Sequence, residues 1–419
     1  MSDNSKAEKI QKKINSKFLL KLFAIIVVVF CIMIFCFNKF FLYNGKIARN
    51  ITIESVEVTN LTKSEARKLI DSKFKPQQLN MSYDNKDYVV EPSDIDLKYD
   101  ISGAVTQAYD LTRKGNYIED VKIYLGTLFK GKNIEIAKSF DEAKLSNKVT
   151  EISDSINVKM ENAKVVIDGG ITYKDPIVGK EFDVAENKES IYKMIKNMDK
   201  KTLNLKVNLV QPEITLQQVQ AVNSTLGSYT TYYGSSPDGR RYNVGLAARK
   251  ASDILLMPGE EFSYNKYTGP SNKANGYKNA PVIVYGAIKQ APGGGVCQTS
   301  STMYNAALFA GMEITEVNNH TAASTYVPKG RDATVSDGGL NLRFKNPYNH
   351  PIYIKNYADG SNVTSIIYGS SEDKQKVSIE VKYSGGVYRT YRKYLDDKGN
   401  VTKKEFISAA EYKKLKTNN

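Results

Sequence analysis

The longest apolar stretch of the chain lies near its N-terminus. Every position from Leu22 to Phe37 is uncharged and most are aliphatic or aromatic, with Lys21 and Lys39 on either side. Because lysine side chains can extend to the interface, about 20 residues are available to cross the ~30 Å hydrocarbon layer. The pattern predicts an uncleaved transmembrane anchor over residues 22–43. A cleaved signal peptide is the alternative, but the apolar core is long and bulky and no small-x-small cleavage site follows it.

Charged residues beside this stretch predict its orientation. Residues 1–21 contain six lysines and two acidic residues. The positive-inside rule assigns them to a basic cytoplasmic tail and places the chain after about Asn44 on the other side of the membrane. The sequence therefore predicts a single-pass protein with a large extracytoplasmic region.

Residues 45–215 alternate strand-like and helix-like stretches, which is typical of an α+β module. Thr62, followed three residues later by Glu65, is a capping box that predicts a helix start. Two turn-rich segments, Val89–Asp100 and Ile171–Val184, each lead into an amphipathic helical pattern. This module contains neither histidine nor cysteine. We therefore expect it to bind or to act as a spacer, and not to catalyse a reaction.

From residue 216 onward, glycine, tyrosine, serine and asparagine become more frequent. The pattern predicts a mixed α/β domain over residues 216–370, with a helix packed on an antiparallel sheet, and a basic tail over 371–419. The fold class of the whole chain is therefore α+β. The predicted elements are a helix over Leu246–Leu256, a hairpin that pairs Pro281–Tyr285 with Ala287–Ala291, a helix over Cys297–Ala310, strands at Leu340–Phe344, Pro351–Tyr357 and Val363–Tyr368, and a C-terminal hairpin plus a short helix.

Composition limits the chemistry that the chain can carry. Its 419 residues include three cysteines and two histidines. A four-thiolate zinc site is excluded and a multi-histidine metal site nearly so, and we expect neither a metal nor an organic cofactor. Cys31 and Cys36 lie in the predicted span, which leaves Cys297 as the only extracytoplasmic cysteine. A lone thiol that faces an oxidising exterior needs a functional reason.

The charge balance points to acidic partners outside the cell. Lys and Arg number 59 against 45 Asp and Glu, which gives a net charge of +14. After the N-terminal tail is subtracted, about +10 remains in the extracytoplasmic region. Anionic wall polymers or lipid head groups are the expected counterparts, and nucleic acid is not. A solvated basic surface without a dedicated partner is an equally open interpretation.

The candidate chemistry is concentrated in residues 291–332. A glycine run leads into Cys297 at the start of a predicted helix, where unpaired backbone N–H groups and the helix dipole favour a nucleophilic sulfur. The same N–H groups are candidates to hold a developing oxyanion. The predicted substrate and oxyanion contacts are Gly294, Gly295, Val296, Gln298, Asn319 and Arg331.

Two further residues complete a possible catalytic set. His320 follows a strand-like run, and Asp332 precedes another, Ala333–Val335. A nucleophile on a helix N-terminus, a base on a strand and an orienting acid on the next strand form the Cys-His-Asp arrangement of thiol acyl transfer. Asp337 is the alternative acid. The competing interpretation makes Cys297 a small core residue and His320 a structural histidine.

A set of motifs between Arg241 and Tyr368 carries a family resemblance. They read NVGLAARKASDILLMPGEEFSYN, GPSNKANGYKNAPVIVYG, GGGVCQTSSTMYNAAL, NNH, YVPKGRDATV and GGLNLRF. Through them this region resembles a VanW domain. Residues 45–215 resemble, more weakly, the peptidoglycan-binding module that often precedes such domains.

The resemblance implies an activity. VanW domains have been described as cysteine L,D-transpeptidases that make 3-3 peptidoglycan cross-links, and on that resemblance the nucleophile is Cys297. His320 and Asp332 match the usual positions of the family, while their roles follow from the order Cys–His–Asp. That order differs from YkuD-type L,D-transpeptidases, in which the histidine precedes the cysteine.

The sequence and the resemblance together predict a bacterial, membrane-anchored L,D-transpeptidase. Its expected partners are peptidoglycan stem peptides and glycan strands, with the cytoplasmic membrane contacted through one helix. A cysteine peptidase of stem peptides is one alternative, because water and an amine cannot be told apart as acceptors from sequence. The other is a non-catalytic cell-wall-binding or glycopeptide-resistance accessory protein.

Overall fold

A computed structural model describes residues 3–284 and 287–413 of the chain. They form two compact units. One comprises the chain up to residue 158 together with residues 180–209, and the other comprises residues 159–179 together with the chain from 210 onward. Residues 159–179, which the sequence placed in the N-terminal module, therefore pack with the second unit.

The first unit begins with a long apolar helix, α1 (Asp3–Phe37), which continues as a π-helical turn over Asn38–Leu42. Within this element, Ser16–Leu42 has a mean hydropathy of 3.1 in its most apolar window. Among the residues that the structure describes, it is the one helix long and apolar enough to cross a membrane. An N-terminal signal sequence shares both properties.

Helices and strands alternate through both units, which confirms the predicted α+β class. After α1, the helices are α2 (Lys63–Lys73), α3 (Ile101–Asp110), α4 (Tyr117–Lys130), α5 (Glu142–Ile156), α6 (Val184–Asn197), α7 (Leu216–Gln220), α8 (Asp238–Lys250), α9 (Tyr264–Thr268) and α10 (Val296–Phe309). The strands are β1 (Ile51–Ile53), β2 (Val56–Glu57), β3 (Leu79–Tyr83), β4 (Lys86–Val90), β5 (Lys98–Asp100), β6 (Lys132–Ile134), β7 (Ala137–Ser139), β8 (Lys164–Ile167), β9 (Ile171–Lys174), β10 (Gly179–Phe182), β11 (Leu203–Asn204), β12 (Val207–Val210), β13 (Ser224–Tyr232), β14 (Ile254–Leu256), β15 (Glu261–Ser263), β16 (Asn279–Val284), β17 (Ala287–Pro292), β18 (Glu313–Glu316), β19 (Arg343–Lys345), β20 (Ile352–Ala358), β21 (Asn362–Gly369), β22 (Lys376–Ser384), β23 (Val387–Leu395) and β24 (Val401–Glu411).

Two apolar cores stabilise the first unit. In one, the sheet β2-β1-β6 packs with α2, α3 and α4 around the fully buried Ile51 and Ile70. In the other, the sheet β11-β3-β4 packs with α5 and α6 around Met81 and Ile191. Burial of each such side chain is worth about 1.5–3 kcal/mol. These cores fix the helices of this unit in place.

Side-chain caps mark helix starts that were expected from the sequence. Thr62 and Glu65 form the capping box of α2, with Thr62 Oγ1 accepting the Glu65 amide at 3.3 Å. Asp100 and Asp183 cap α3 and α6 in the same way, each accepting the amide three residues further on. Both turn-rich segments thus contain an aspartate that caps the helix that follows.

The second unit is built around α10. The antiparallel sheet β13-β21-β20-β14 packs against this helix, and Met303, Tyr304 and Leu308 are buried in the core. The sheet β15-β19-β18 adds the rings of Phe262 and Phe344, which stack with centroids 4.8 Å apart. The hairpins β8-β9 and β16-β17 and the C-terminal sheet β22-β23-β24 complete this unit. At the turn of β16-β17, Tyr285 and Gly286 lie outside the described residues.

One predicted helix begins and ends earlier than expected. The sequence suggested a helix over Leu246–Leu256, whereas α8 ends at Lys250 and Ile254–Leu256 pairs with β20 as strand β14. The backbone reverses at Asp253, whose φ is 62°. A short apolar run fits a buried strand as well as a helix, and pairing with β20 decides the outcome.

The C-terminal tail also differs from the expectation. In place of a hairpin and a short helix, it forms three antiparallel strands, the last of which is β24. Arg392 of β23 is fully buried and pairs with Glu405 of β24 at 3.0 Å. This cross-strand ion pair and the sheet pairing override the local helix propensity of Ala409 and Ala410. Residues 414–419 lie outside the described part of the chain.

Candidate active site

A glycine turn brings the chain to the start of α10. Gly293 and Gly295 have φ values of 85° and 114°, in the region that other residues rarely adopt. A Cβ on Gly294 would lie 2.6 Å from the backbone oxygen of Pro281. All three positions therefore need glycine for backbone reasons, and the turn sets the direction in which the helix begins.

Cys297 is the second residue of α10 and is partly buried. Its thiol donates to the Val335 carbonyl oxygen, with Sγ 3.5 Å from that oxygen. The amides on either side, of Val296 and Gln298, donate to carbonyl oxygens of the glycine turn at 3.2 and 3.0 Å. Within the described residues, the Cys297 amide has no acceptor. It is therefore the N–H that remains available beside the sulfur.

His320 connects the thiol to a carboxylate. Its Nδ1 lies 2.6 Å from Asp332 Oδ2, and its backbone amide donates to the same oxygen at 2.6 Å. Its side chain also interacts with that of Cys297. With Nδ1 donating its proton to the carboxylate, Nε2 is the nitrogen left to exchange a proton with a reacting group. The structure thus brings the three predicted catalytic residues together.

The pKa values of His320 and Asp332 shift in opposite directions. Burial on its own lowers the pKa of His320, but its interactions with Asp332 and Cys297 outweigh burial and raise that pKa to about 9. Burial acts to raise the pKa of Asp332, which is 1% exposed, yet hydrogen bonds from His320 and Tyr412 leave it below its ordinary value. The imidazole therefore tends to hold a proton while the carboxylate stays ionised.

The buried Asp332 carboxylate receives further donors beyond His320. Asn319 Nδ2 lies 3.1 Å from Oδ1, and the Tyr412 hydroxyl donates to the same oxygen. Tyr412 in turn accepts the Gly330 amide at 2.6 Å. Asn319, predicted as a substrate contact, thus helps to hold the acid. Tyr412 lies in the C-terminal tail and belongs to no motif that pointed to it.

Polar side chains of α10 hold the segment that carries the acid. Ser300 Oγ donates to the Ala333 carbonyl oxygen at 2.6 Å, and Ser301 Oγ accepts the Ala333 amide at 2.9 Å. One turn later, Asn305 Nδ2 donates to the Arg331 carbonyl oxygen at 2.8 Å. The residue between these two anchored positions is the buried acid, whose backbone is therefore fixed from both sides.

The base and the acid lie on loops and not on the strands that the sequence suggested. Strand β18 ends at Glu316, so His320 lies beyond it. Ala333–Val335 forms no strand in the described structure. Its backbone groups bond to α10 side chains and, through the Thr334 amide, to the Asn318 carbonyl oxygen at 2.7 Å. These bonds replace a strand partner.

Two further side chains lie near the sulfur. The ring of Tyr326 meets that of His320 edge-on, with centroids 6.4 Å apart. Burial and the charge of Cys297 raise the pKa of the Tyr326 hydroxyl. Burial lowers the pKa of Arg240, whereas Tyr326 and Cys297 act in the opposite direction. Neither residue was predicted, although Tyr326 begins the YVPKGRDATV motif and could have been found through it.

The side chains of Gln298 and Asp337 form hydrogen bonds to residues other than Cys297, His320 and Asp332. Gln298 Nε2 donates to the Tyr232 carbonyl oxygen at 2.9 Å, so its side chain ties α10 to β13. Asp337 is exposed, and its Oδ1 accepts the Ser271 amide at 2.7 Å. Of the two candidate acids, Asp332 is the one that bonds to the imidazole.

The guanidinium of Arg331 lies at the other end of α10. Its centre is 5.1 Å from the Tyr229 ring and 5.2 Å from the Phe309 ring. Phe309 is the last residue of a helix that begins beside Cys297, about 18 Å away at 1.5 Å per residue. Arg331 therefore packs against aromatic rings and does not reach the sulfur.

The candidate site is made of side chains and one backbone amide. In the described ranges, no group of three His, Cys, Asp or Glu side chains is arranged to hold a metal ion. A thiol, an imidazole, a buried carboxylate and a free N–H are the groups that nucleophilic acyl transfer uses.

Comparison with known proteins finds a match for two regions of the chain. Residues 239–368 match the family model described as "VanW like protein", and residues 88–204 match the one described as "Putative peptidoglycan binding domain". The chain is 43% identical over 145 residues to the uncharacterized protein YoaR of Bacillus subtilis (strain 168). This alignment covers 35% of the chain and 48% of YoaR. The chain is also 25% identical over 162 residues to the vancomycin B-type resistance protein VanW of Enterococcus faecalis (strain ATCC 700802 / V583). This alignment covers 36% of the chain and 59% of that protein. The chain thus spans about half the length of these curated relatives. No solved structure matches.

The matched regions contain the elements described above. The VanW-like match includes Cys297, His320 and Asp332, whereas Tyr412 lies beyond it. A peptidoglycan-binding domain that precedes a VanW-like domain supports a cell-wall-associated protein. Residues 239–368 are therefore similar to VanW-like proteins, and residues 88–204 are similar to peptidoglycan-binding domains.

Proposed function

We propose that this protein is a membrane-anchored L,D-transpeptidase, a cysteine acyltransferase that forms 3-3 cross-links in peptidoglycan. The observation that carries the proposal is the position of Cys297 at the start of α10, beside an imidazole whose Nδ1 lies 2.6 Å from the buried Asp332. The family match supports the substrate class, and the site supports the chemistry.

The first half-reaction would form a thioester. The thiol proton first passes to Nε2 of His320, and the Cys297 sulfur then attacks the carbonyl carbon of the third stem-peptide residue of a donor tetrapeptide. The Cys297 amide stabilises the developing oxyanion. The C–N bond then breaks, and the imidazolium gives its proton to the departing D-Ala amine. Asp332 holds the imidazole and stabilises its positive charge.

The second half-reaction would restore the enzyme. An acceptor side-chain amine approaches the thioester and gives a proton to His320 as its nitrogen attacks the same carbonyl carbon. The C–S bond breaks, an amide forms between two stem peptides, and the proton returns to the sulfur. No bond is oxidised or reduced, so the residues present account for the full proton balance.

Location is the second part of the proposal. Ser16–Leu42 would cross the membrane, with the N-terminal lysines in the cytoplasm and both units outside. The peptidoglycan-binding domain would hold glycan strands at a fixed height above the membrane. Anionic wall polymers are further candidate partners for the basic extracytoplasmic region.

Product analysis tests this function. Full-length protein in detergent is incubated with purified disaccharide tetrapeptides, and the products are separated and weighed by mass spectrometry. The proposal expects 3-3 dimers and free D-alanine from the wild type and from Cys36→Ala, which removes a cysteine of the apolar helix. Cys297→Ala should give neither product.

The same measurement separates the alternatives. Shortened monomers without dimers would replace the transferase with a peptidase, in which water takes the place of the acceptor amine. Equal product from the wild type and Cys297→Ala would exclude cysteine catalysis and leave a binding role.

A further inference from the structure

Helix α4 turns large apolar side chains to the outside of the first unit. Ile118 is 79% exposed and Phe129 is 86% exposed, and Leu125 between them is 42% exposed. The side that faces the core instead includes the buried Asp120 and Thr127. A surface helix of a soluble domain has the opposite arrangement, with polar residues outward. The exposed side of α4 therefore suits an apolar environment.

Hydrogen bonds and ring packing fix α4 in this orientation. Asp120 Oδ2 accepts the Tyr43 hydroxyl at 2.9 Å, and Thr127 Oγ1 donates to the Tyr124 carbonyl oxygen at 2.8 Å. The Tyr124 ring is buried and meets the ring of Phe37 edge-on, with centroids 5.5 Å apart. The Thr127 bond lies within α4, whereas rotation of the helix to hide its apolar side would break the Tyr43–Asp120 hydrogen bond and the Phe37–Tyr124 ring contact.

The exposed side of α4 continues onto the apolar helix α1. An open groove of about 460 Å³ is lined by apolar residues of both helices, including Phe30, Met33 and Phe37 of α1 and Ile118, Val121 and Leu125 of α4. The α1 residues belong to the segment Ser16–Leu42, which is apolar enough to cross a membrane. Acyl chains that surround this segment would therefore meet α4 at the same level.

Lysines accompany the apolar side of α4. Lys122 lies in the middle of the helix, Lys130 ends it and Lys132 follows, and all three are exposed. Lysine side chains can lie along an apolar contact while their ammonium groups reach the phosphates of lipid head groups. The combination of an apolar side and cations is that of a helix at a membrane surface.

We infer that α4 is an interfacial helix that binds lipid acyl chains of the outer leaflet beside the span. Acyl chains fill the groove between α1 and α4, and the lysines contact head-group phosphates. This inference rests on the proposed anchoring of Ser16–Leu42 and is independent of the chemistry at Cys297. Because α4 lies within residues 88–204, its membrane contact would also set the height at which the peptidoglycan-binding domain meets the wall.

The chain contains no tryptophan, so a single introduced tryptophan reports its own surroundings. Three full-length variants are reconstituted separately into vesicles: Ile118→Trp on α4, Val28→Trp in the apolar segment of α1, and Val184→Trp, which replaces a side chain 51% exposed at the start of α6. Phosphatidylglycerol/phosphatidylcholine lipids with brominated acyl chains quench tryptophan only on contact. Phe129→Trp repeats the test with an aromatic replacement at the other end of α4.

The inference expects brominated lipids to remove most emission from the Val28→Trp, Ile118→Trp and Phe129→Trp variants and to leave Val184→Trp unchanged. Suppose that the tryptophan at position 28 is quenched while those at positions 118 and 129 are no more quenched than the one at position 184. That result would overturn the inference. Shielding of position 118 from aqueous acrylamide without lipid quenching would also overturn it, because a second copy or another protein would then cover the helix. Absence of quenching at position 28 would overturn the anchoring and this inference with it, while leaving the chemistry at Cys297 untouched.

Discussion

At the scale of single residues, the site depends most on His320, whose side chain interacts with a thiol and with a buried carboxylate. Its pKa is about 9, against an ordinary value of 6.5. A group whose pKa is raised on folding stabilises the folded state fully below pH 6.5, and that stabilisation is lost as the pH rises through about 9.

The free energy of unfolding should therefore fall between pH 6.5 and 9, with His320 contributing on the order of 2 kcal/mol to the decline. Urea titrations of the wild type and His320→Gln across this range measure the effect. Glutamine can still donate to Asp332 but does not titrate, so the variant should lose most of the decline. The same decline in both proteins would show that another group is responsible.

A second residue-scale prediction concerns Tyr412, a positioning residue that donates to Asp332 Oδ1. Tyr412→Phe removes a charge-assisted hydrogen bond worth about 1.5–3 kcal/mol, so kcat should fall by about tenfold or more with little change in KM. The pKa of Asp332 should rise, which moves the acidic limb of the pH–rate profile to higher pH.

Tyr383→Phe is the matched control for this prediction, because Tyr383 is 62% exposed and lies on the same C-terminal sheet. Its kinetics should equal those of the wild type. An unchanged acidic limb in Tyr412→Phe would mean that Tyr412 only packs beside the site.

Local signals explain which site residues could be predicted. The glycine run before Cys297 is visible in the sequence, because a backbone with positive φ needs glycine at those positions. The preference for Asp332 over Asp337 was not visible, since Asp332 lies within the YVPKGRDATV motif and Asp337 only two residues after it, and the bond to His320 depends on tertiary folding. Tyr412 lies 80 residues from its partner, and no local pattern encodes such a contact.

At the scale of elements, α10 both presents the nucleophile and holds the acid. Its Ser300, Ser301 and Asn305 side chains bond to the backbone of residues 331–333. Polar residues on the buried side of a helix are costly unless they are satisfied, and here that segment satisfies them. Alignment of the base and the acid therefore depends on this set of hydrogen bonds.

Asn305→Ala tests this dependence. Asn305 is fully buried and bonds both to the Arg331 carbonyl oxygen and to Arg331 Nε. Its loss leaves buried partners unsatisfied, so the free energy of unfolding should fall by about 2–3 kcal/mol, measured by chemical denaturation. Thr230→Ala, which removes an exposed hydroxyl from β13, should cost about 0.5 kcal/mol or less. Equal effects would contradict the role of this side chain.

Helices with a clear start signal in the sequence could be predicted. Strands that pair with segments distant in sequence were harder to predict. The capping box at Thr62 and the helix that begins near Cys297 appear in the structure close to where the sequence suggested them. Ile254–Leu256 was assigned to a helix because a short apolar run does not distinguish a helix from a buried strand. Strand β24 was missed because its pairing depends on the buried Arg392 of the neighbouring strand.

At the scale of the whole molecule, the fold class and the apolar N-terminal helix were open to prediction because both follow from patterns continuous in sequence. The division into units was not, because residues 159–179 leave the first unit and pack with the second. The C-terminal sheet lies beyond the residues of the VanW-like match, yet Tyr412, which directly follows its last strand, donates to Asp332.

Arg392 shows that this sheet also stabilises the second unit. Its guanidinium is fully buried, donates to the Met312 carbonyl oxygen at 2.7 Å and pairs with Glu405. Arg392→Met should lower the free energy of unfolding by about 3 kcal/mol, because it leaves a carbonyl and a carboxylate without their partner. Arg389→Met, which removes a solvent-exposed hydrogen bond from the same strand, should change it by about 0.5 kcal/mol at most. Thermal and urea unfolding compare the two, and an equal loss would contradict an integral C-terminal sheet.

The central claim is that Cys297 forms an acyl-enzyme with the help of His320 and Asp332. Intact-mass spectrometry of the full-length protein, quenched in acid within seconds of adding a donor tetrapeptide, tests it most directly. The account predicts a mass increase equal to the tetrapeptide less D-alanine, located on Cys297 by peptide mapping. The adduct should be absent in Cys297→Ala and form at least 100-fold more slowly in Asp332→Asn, which favours the wrong imidazole tautomer. A protein that turns over substrate with no adduct on Cys297, or with the adduct on another residue, would contradict the account.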